Sequence, residues 1–218
     1  HLDFRRQRQM CIRDRATINY NDTHSLRINK KHSAIACLQL SDEPDWVTHP
    51  QQVLLQDNIA RNAYPFAPTM TTLCRNVTFF EYAPIVDLPC MDHYCVTAPS
   101  TSKWPYPYGT KLEETGYYTR DLKVASEPKP IWVWSQGLFD WDERPQQTVP
   151  TPEELAVQLV QNIGNGAKGI LWFTFRKNPG LKYPKTRNAI RGWGRVLRLI
   201  REDPVSYTHL TLPTKVEV

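Results

Sequence analysis

The chain has 218 residues, 22% of them charged, and carries a formal net charge of +5 at pH 7. Residues 1–15 hold five Arg against Asp3 and Asp14, a net +3, and residues 204–218 are neutral overall, which leaves +2 for the rest of the chain. A surplus that small excludes the clustered basic face that nucleic acid or an anionic membrane requires. No apolar run reaches the roughly 20 residues of a membrane-spanning helix, so we predict neither nucleic-acid nor membrane partners.

Both ends of the chain differ in character from the rest. Residues 5–15, RRQRQMCIRDR, and residues 204–218, PVSYTHLTLPTKVEV, resemble translated sequencing-adapter sequence. We therefore exclude residues 1–15 and 204–218 from the fold prediction as an artefact. Residues 16–203 are enough for one sizeable domain. A signal peptide lost with a damaged start would leave no trace, so the sequence leaves the localisation open, including a secreted or periplasmic one.

Five apolar segments are predicted to be strands, with helices between them. Residues 16–31 are polar and unpatterned, so no strand is predicted there. The first strand, near residues 33–40, runs into Ser41-Asp42-Glu43-Pro44, and a helical stripe follows over residues 52–63. The next elements are strands near residues 69–74 and 88–96, a short helix between them over residues 76–86, and a helix over residues 111–125.

The stretch from Pro130 to Phe175 has the clearest boundaries. Its first apolar run, Ile131 to Trp134, is typical of a strand buried on both faces, and a long polar loop follows. Thr151-Pro152-Glu153-Glu154 combines a capping threonine, a proline at the first helical position and a glutamate three residues after the cap, which predicts a helix start. The fifth strand is predicted over residues 170–175 and a last helix over residues 185–202.

Strands that alternate with helices predict an α/β fold with a parallel sheet. No glycine-rich phosphate fingerprint follows any strand, which argues against a nucleotide-binding doubly wound domain. The order of an apolar strand ending in Gln136, a long loop, a Pro-Thr-Pro-Glu-Glu-Leu helix, Gly-Ala-Lys-Gly and an aromatic-rich strand resembles strands seven and eight of the clan A, β-galactosidase-like glycoside hydrolase barrels. The resemblance implies an incomplete (β/α)8 TIM barrel containing about strands 4 to 8, with the first three strands missing.

The resemblance also implies where the chemistry lies, because catalytic residues of such barrels follow the C-terminal ends of the strands. The fourth strand of the family ends in Asn-Glu-Pro, whose glutamate is the acid/base, and the matching tripeptide here is Asp42-Glu43-Pro44. Glu43 is therefore the candidate acid, and it shares its side parity with Gln39 and Ser41. On the tripeptide alone, an acidic surface turn is the competing interpretation.

The second carboxylate departs from the family pattern. The nucleophile of the family is a glutamate at the end of strand seven, where this chain has Gln136, and glutamine has no charge with which to attack a sugar. Asp92, at the end of the predicted strand over residues 88–96, is the best alternative. Asp140, Asp142 and Glu143 in the loop after Gln136 are others, as is a residue of the first three strands, if these are missing. With Asp92 as the partner of Glu43, the two carboxyl groups are predicted to approach the separation of an inverting pair, about 6.5 to 9.5 Å.

Other residues near the same strand ends are candidates for substrate binding. The proline- and aromatic-rich loop over residues 98–109 is long for a compact domain, and its Trp104 has two interpretations, stacking on a sugar ring or packing against neighbouring tyrosines. Trp172 is the sugar platform that the resemblance implies, with a buried core tryptophan as the alternative. The predicted substrate-binding residues are Asp42, Tyr94, Trp104, Gln136, Asp140 and Trp172.

One cluster of residues has the side-chain types of a zinc site. Cys90, His93 and Cys95 are residue types that ligate zinc, but strand alternation puts Cys90 on the opposite face from the other two. We predict no metal and no cofactor.

Together these patterns predict a fragment of a glycoside hydrolase-like catalytic barrel that hydrolyses an oligo- or polysaccharide by carboxylate acid/base catalysis. Two alternatives stay open. One is a carbohydrate-binding barrel without catalysis, supported by Gln136. The other is a barrel enzyme of different chemistry that uses Glu43 and Asp92 as its acid/base pair.

Overall fold

The described part of the chain forms one open sheet of parallel strands. The computed structural model describes residues 16–19, 35–96, 111–138, 149–175 and 182–202. Six strands pair in chain order, each parallel to the next. They are β1 (Ala16–Asn19), β2 (Ile35–Asp42), β3 (Thr69–Leu73), β4 (Leu88–Asp92), β5 (Trp132–Gln136) and β6 (Gly169–Phe173). The predicted α/β class with a parallel sheet is confirmed.

Helices lie between and after the strands. They are α1 (Pro50–Ala63), α2 (Phe79–Tyr82), α3 (Glu114–Ser126), α4 (Pro152–Gly164) and α5 (Pro184–Glu202), with 3-10 turns at Pro44–Trp46 and Asn76–Thr78. The predicted helix over residues 76–86 is instead a 3-10 turn that runs into the single turn of α2. Helix α4 begins as predicted, because the Thr151 hydroxyl accepts the Glu154 N–H at 3.2 Å and the Glu154 carboxylate accepts the Thr151 N–H at 2.8 Å.

The sheet has a helix-covered face and an inner face, because successive side chains of a strand point to opposite sides. On the helix side, Leu38 and Leu40 of β2 pack against Ala60 of α1, and a larger cluster joins β3, β4 and β5 to α1, α2 and α3. The inner face holds a separate apolar cluster built on Cys37, Met70, Cys90 and Leu171, with Leu88, Trp132 and Trp134 against it.

Strand β1 corrects the sequence prediction, which left residues 16–31 without a strand. Ala16–Asn19 pairs in parallel with β2, with Thr17 opposite Cys37 and Asn19 opposite Gln39. Four residues are too few to show an alternating pattern, and a parallel pair is joined by backbone hydrogen bonds that any side chain permits. The described sheet therefore has six strands where five were predicted.

Strand β4 ends four residues earlier than predicted, at Asp92. Beyond it the Gln136 side chain completes the backbone hydrogen bonding, since its oxygen accepts the Val96 N–H at 2.9 Å and its nitrogen donates to the Val96 carbonyl at 2.8 Å. Residues 93–96 are buried, and the Val96 backbone is hydrogen-bonded without belonging to the strand.

Helix α5 is amphipathic. Ile190 is buried, and Trp193 and Leu197 pack against the cluster between β6 and α4, whereas Arg191, Arg195 and Arg198 are exposed. These arginines form the solvated face that the sequence predicts. Among the described residues, no helix combines the length and apolar character needed to cross a membrane.

Candidate functional site

The C-terminal ends of β2 and β4 bring two carboxyl groups together. All strands are parallel, so their C-terminal ends share one edge of the sheet. Glu43 follows the last residue of β2, and Asp92 is the last residue of β4. The Glu43 side chain hydrogen-bonds the Asp92 carboxyl, which lies two strands away. We call these two residues the carboxyl pair.

The contact within the carboxyl pair is closer than the sequence predicted. Oxygens joined by a hydrogen bond lie about 2.5 to 3.0 Å apart, whereas the two carboxyls of a glycosidase stand about 5 to 5.5 Å apart in retaining enzymes and about 6.5 to 9.5 Å apart in inverting ones. The predicted inverting separation is therefore wrong. Two carboxylates this close cannot both ionise without strong repulsion, so the arrangement favours one shared proton.

The surroundings of Asp92 favour its protonated form. Burial raises the pKa of the Asp92 carboxyl well above its usual range, and the charge and hydrogen bond of Glu43 and the charges of Asp42 and Asp45 raise it further. Asp92 is only 8% exposed, and its Oδ1 accepts no hydrogen bond from the described residues. Loss of hydration also raises the pKa of Asp42, even though that residue as a whole remains exposed. The site thus holds a buried acid next to a partly solvated carboxyl.

The turn after β2 aims Glu43 at Asp92. Glu43 has the left-handed backbone angles φ 45° and ψ 48°, and it is the one non-glycine residue with positive φ among those described. This conformation costs an L-residue about 1 to 2 kcal/mol, so the surrounding contacts must hold it. The Glu43 N–H donates to the Thr72 carbonyl at 2.9 Å, and Pro44–Trp46 then turns the chain away as a 3-10 helix.

An aromatic wall stands beside the carboxyl pair. Trp134 of β5 lies opposite Asp92 in the strand register, and its indole N–H donates to the Thr72 hydroxyl at 3.0 Å. Phe173 of β6 packs edge-on against Trp134, with 6.5 Å between ring centroids, and stacks on Tyr94 at 5.6 Å. Burial, followed by the charge of Asp92, raises the pKa of Tyr94. Carboxyl groups beside aromatic rings are a common composition of ligand sites.

Of these aromatic residues, Tyr94 was among the predicted substrate-binding residues, whereas Trp134 and Phe173 were not predicted. The available signal was period two in the run Trp132-Val133-Trp134, which puts both tryptophans on one face. What the sequence lacked was the register, which sets Trp134 level with Asp92. An aromatic residue level with a carboxylate at the ends of neighbouring strands is the pattern that would have found it.

Two predicted substrate-binding residues make contacts within the protein instead. Trp172 is on the helix side of β6, 8% exposed and buried with Leu155, Leu159 and Ile190, so it has the core role that was its alternative interpretation. The Gln136 amide is buried and bonds the Val96 backbone with both of its polar atoms. Gln136 therefore has a structural reason to be an amide. Trp104 and Asp140 lie outside the described residues.

No metal centre emerges from the residues in the described ranges, where no three His, Cys, Asp or Glu side chains are grouped to hold an ion. His93 is buried on the helix side, stacked on Tyr118 with 4.0 Å between centroids. Burial lowers the pKa of His93 to about 4. Its ring is thus neutral at physiological pH and packs as part of the core.

Comparisons with known proteins bear on the fold. No family model matches the sequence, and no curated protein matches it. The structure is similar to that of a proposed α-L-fucosidase from Bacteroides thetaiotaomicron, with a TM-score of 0.52 and 11% identity over 81% of this chain and 58% of the other. Weaker matches include bee venom hyaluronidase, with a TM-score of 0.43 and 12% identity over 69% and 51%. Another is a truncated 3-deoxy-D-arabino-heptulosonate 7-phosphate synthase from Thermotoga maritima, with a TM-score of 0.37 and 11% identity over 66% and 44%.

The fold is a partial TIM barrel. The chain spans somewhat more than half the length of the fucosidase structure that it matches, and at this identity the likeness concerns the fold alone. Active sites of TIM barrels lie at the C-terminal ends of the strands. That is the edge that carries the carboxyl pair and the aromatic wall.

Proposed function

We propose that this chain carries part of a catalytic barrel that hydrolyses glycosidic bonds of an oligo- or polysaccharide by carboxylate acid/base catalysis. The observation that carries the proposal is the carboxyl pair, hydrogen-bonded at the C-terminal edge of a partial TIM barrel and flanked by aromatic rings. Glycoside hydrolysis needs a carboxyl that holds a proton when the leaving oxygen departs. The carboxyl pair supplies one.

Within the pair we assign the proton to Asp92 and the ionised form to Glu43. The sequence analysis gave the acid role to Glu43, but it is Asp92 that is buried and whose pKa is raised by Glu43 and its acidic neighbours. Asp92 would donate its proton to the glycosidic oxygen as the C–O bond breaks, and the repulsion between the two carboxylates that remain would be relieved when the pair takes a proton from the water that attacks the sugar carbon. Asp42, exposed beside the pair, is suited to orient a sugar hydroxyl or the attacking water.

The aromatic wall supports a carbohydrate as the ligand. Trp134, Phe173 and Tyr94 offer flat apolar faces next to polar groups, and a sugar ring pairs C–H faces with hydroxyl edges in the same way. The wall would orient the ring while the carboxyl pair meets the leaving oxygen. Orientation of this kind is a large part of catalysis.

The proposal is tested by turnover of a panel of aryl glycosides and oligosaccharides with the full chain. Asp92→Asn and Glu43→Gln should each lower kcat by about 10²- to 10⁴-fold, the usual worth of a positioned acid or base. The matched control is Glu81→Gln, because Glu81 is exposed on α2, and this variant should keep full activity. Equal turnover in Asp92→Asn and the parent chain would place the acid elsewhere. Glycan binding with no turnover in the parent chain would instead support a carbohydrate-binding barrel.

A second candidate is a barrel enzyme of other acid/base chemistry. The observation that favours it is the direct hydrogen bond of the carboxyl pair, which is closer than either glycosidase separation. Two hydrogen-bonded carboxyl groups act together at a single position, which suits an enzyme that removes a proton from a carbon atom. Exchange of substrate C–H for deuterium, abolished in Asp92→Asn, together with the absence of glycoside cleavage would decide for this candidate.

A further inference from the structure

The carboxylate of Asp45 ties the turn after β2 to the segment after β3. Asp45 is 4% exposed, and its two oxygens accept the Arg75 N–H at 2.8 Å and the Cys74 N–H at 3.1 and 3.3 Å. The Thr78 hydroxyl lies 3.0 Å from the same carboxylate and 2.6 Å from the Arg75 carbonyl. The Asp45 carbonyl accepts in turn from the Arg75 guanidinium at 3.3 Å.

Asp45 stands two residues after Glu43, and this spacing matters for the carboxyl pair. On one side the Glu43 N–H is fixed to the Thr72 carbonyl, and on the other side Asp45 is fixed to residues 74–78. Because hydrogen bonds fix the chain on both sides of Glu43, this residue keeps its left-handed conformation. The side chain of Glu43 must span the end of β3 to reach Asp92, and a small rotation of the turn would break that contact.

We propose that Asp45 is a positioning residue that holds Glu43 against Asp92 through its hydrogen bonds to the segment after β3. It acts through Glu43 and does not itself touch the substrate. The inference deepens the proposed function, and its kinetic test rests on that function. A displacement of about 1 Å of a reacting group is enough to cost about a hundredfold in rate.

The test variants must separate the hydrogen bonds of Asp45 from its charge. The titratable and charged groups near Asp45 are Cys74, Arg75 and Tyr82, and the acidic groups that raise the pKa of Asp92 most are Glu43, Asp42 and Asp45. Asp45→Asn removes the negative charge and also weakens the hydrogen bonds to residues 74–78, so this variant alone cannot separate the effect of the charge from that of the bonds. Thr78→Val keeps that charge and removes only the hydroxyl, and Thr78→Ser keeps the hydroxyl.

The test is a carbon-13 NMR titration of Asp92 in the full chain, with kcat and KM measured beside it. In Thr78→Val the titration of Asp92 should move to lower pH because Asp45 keeps only its bonds from the Cys74 and Arg75 N–H groups and Glu43 is held less firmly against Asp92, and kcat should fall about tenfold while KM changes less than twofold. Thr78→Ser should match the parent chain. Asp45→Asn should show the larger shift and about a hundredfold loss in kcat, and if it does not fold, the Thr78 variants decide.

An unchanged Asp92 titration in a folded Thr78→Val chain would overturn the inference. Equal effects of Thr78→Val and Thr78→Ser would also overturn it, since only the first removes the hydroxyl. The titration does not depend on turnover. A chain without activity in which the titration still moves would therefore reject the proposed function and keep the positioning role.

Discussion

The two ends of the same parallel sheet each carry a cluster of carboxyl groups, and the clusters differ in whether an arginine pairs directly with the carboxylates. At the N-terminal end, Arg61 of α1 contacts both Asp57 and Asp87, the second at 3.0 Å. The Thr69 hydroxyl donates to Asp57, and its N–H donates to Asp87 at 3.0 Å. Although burial alone would raise it, the pKa of Asp87 is lowered by the hydrogen bonds from Thr69 and Arg61.

At the C-terminal end the carboxyl pair meets other carboxyls. After burial, the largest effects on Asp92 come from three acidic residues, Glu43, Asp42 and Asp45, and they raise its pKa. The neighbours therefore decide which form of a carboxyl group is favoured: the charged form beside arginine, and the protonated form beside other acids. This difference also agrees with the division of labour in TIM barrels, where the C-terminal face carries chemistry and the opposite face carries stability.

The largest expected effect comes from comparing a tryptophan on the helix-covered face of the sheet with one on the inner face. Trp172→Ala should cost about 3 to 5 kcal/mol of unfolding free energy because it empties a buried site. Trp134→Ala should cost less stability, since Trp134 is half-buried, but should weaken glycan binding about tenfold, equal to about 1.4 kcal/mol. Urea denaturation and binding titrations check the pair. Weaker glycan binding in a folded Trp172→Ala chain, with Trp134→Ala unaffected, would reverse the assignment of the faces.

A smaller effect is expected from breaking the N-terminal cluster. Asp57→Ala leaves the Thr69 hydroxyl and Arg61 without their partner and should lower the unfolding free energy by about 2 kcal/mol. Asn58→Ala, an exposed position on the same helix, should stay within about 0.5 kcal/mol of the parent. Asp92→Asn should cost less than about 1 kcal/mol, because it replaces a protonated acid by an amide of the same shape. A larger loss in Asp92→Asn than in Asp57→Ala would mean that the carboxyl pair is built for stability.

Much of the fold follows from local sequence, whereas the site depends on contacts distant in sequence. The start of α4 was predictable because Thr151, Pro152 and Glu154 make their capping contacts with one another. The roles of Trp172 and Gln136 were not, since they depend on contacts with residues distant in sequence, Ile190 for Trp172 and Val96 for Gln136. Strand β1 was missed because backbone pairing with β2 needs no side-chain pattern.

The contact within the carboxyl pair was the hardest feature to foresee. The sequence placed Glu43 and Asp92 at strand ends of one edge, which is where they lie. It gave no sign of the left-handed turn that brings them into contact, because a glutamate rarely adopts positive φ. That turn is held by Asp45, whose partners lie about thirty residues further along the chain.

The smallest expected effect is in the pH dependence of stability, where the two ends should have opposite signs. The folded pKa of Asp87 lies below the unfolded value of about 3.9, so its stabilisation is present above that pH and is lost as the pH falls. The folded pKa of Asp92 lies above the unfolded value, so its contribution is complete below about pH 4 and is lost as the pH rises. We expect denaturation curves from about pH 3 to 8 to show that Asp87→Asn reduces the loss of unfolding free energy at acid pH. Asp92→Asn should reduce the loss of unfolding free energy as the pH rises. The reverse pattern would contradict the comparison.

Infrared spectroscopy measures directly whether the carboxyl pair holds a proton on Asp92. A protonated carboxyl has its own C=O band, and the difference spectrum between the parent chain and Asp92→Asn isolates that of Asp92. At pH 6, about two units above the ordinary aspartate pKa, we expect this band to be present, and we expect the Glu43→Gln variant to lose it at a lower pH than the parent chain. An Asp92 band that is already absent at pH 6, with an ordinary titration near pH 4, would contradict this expectation.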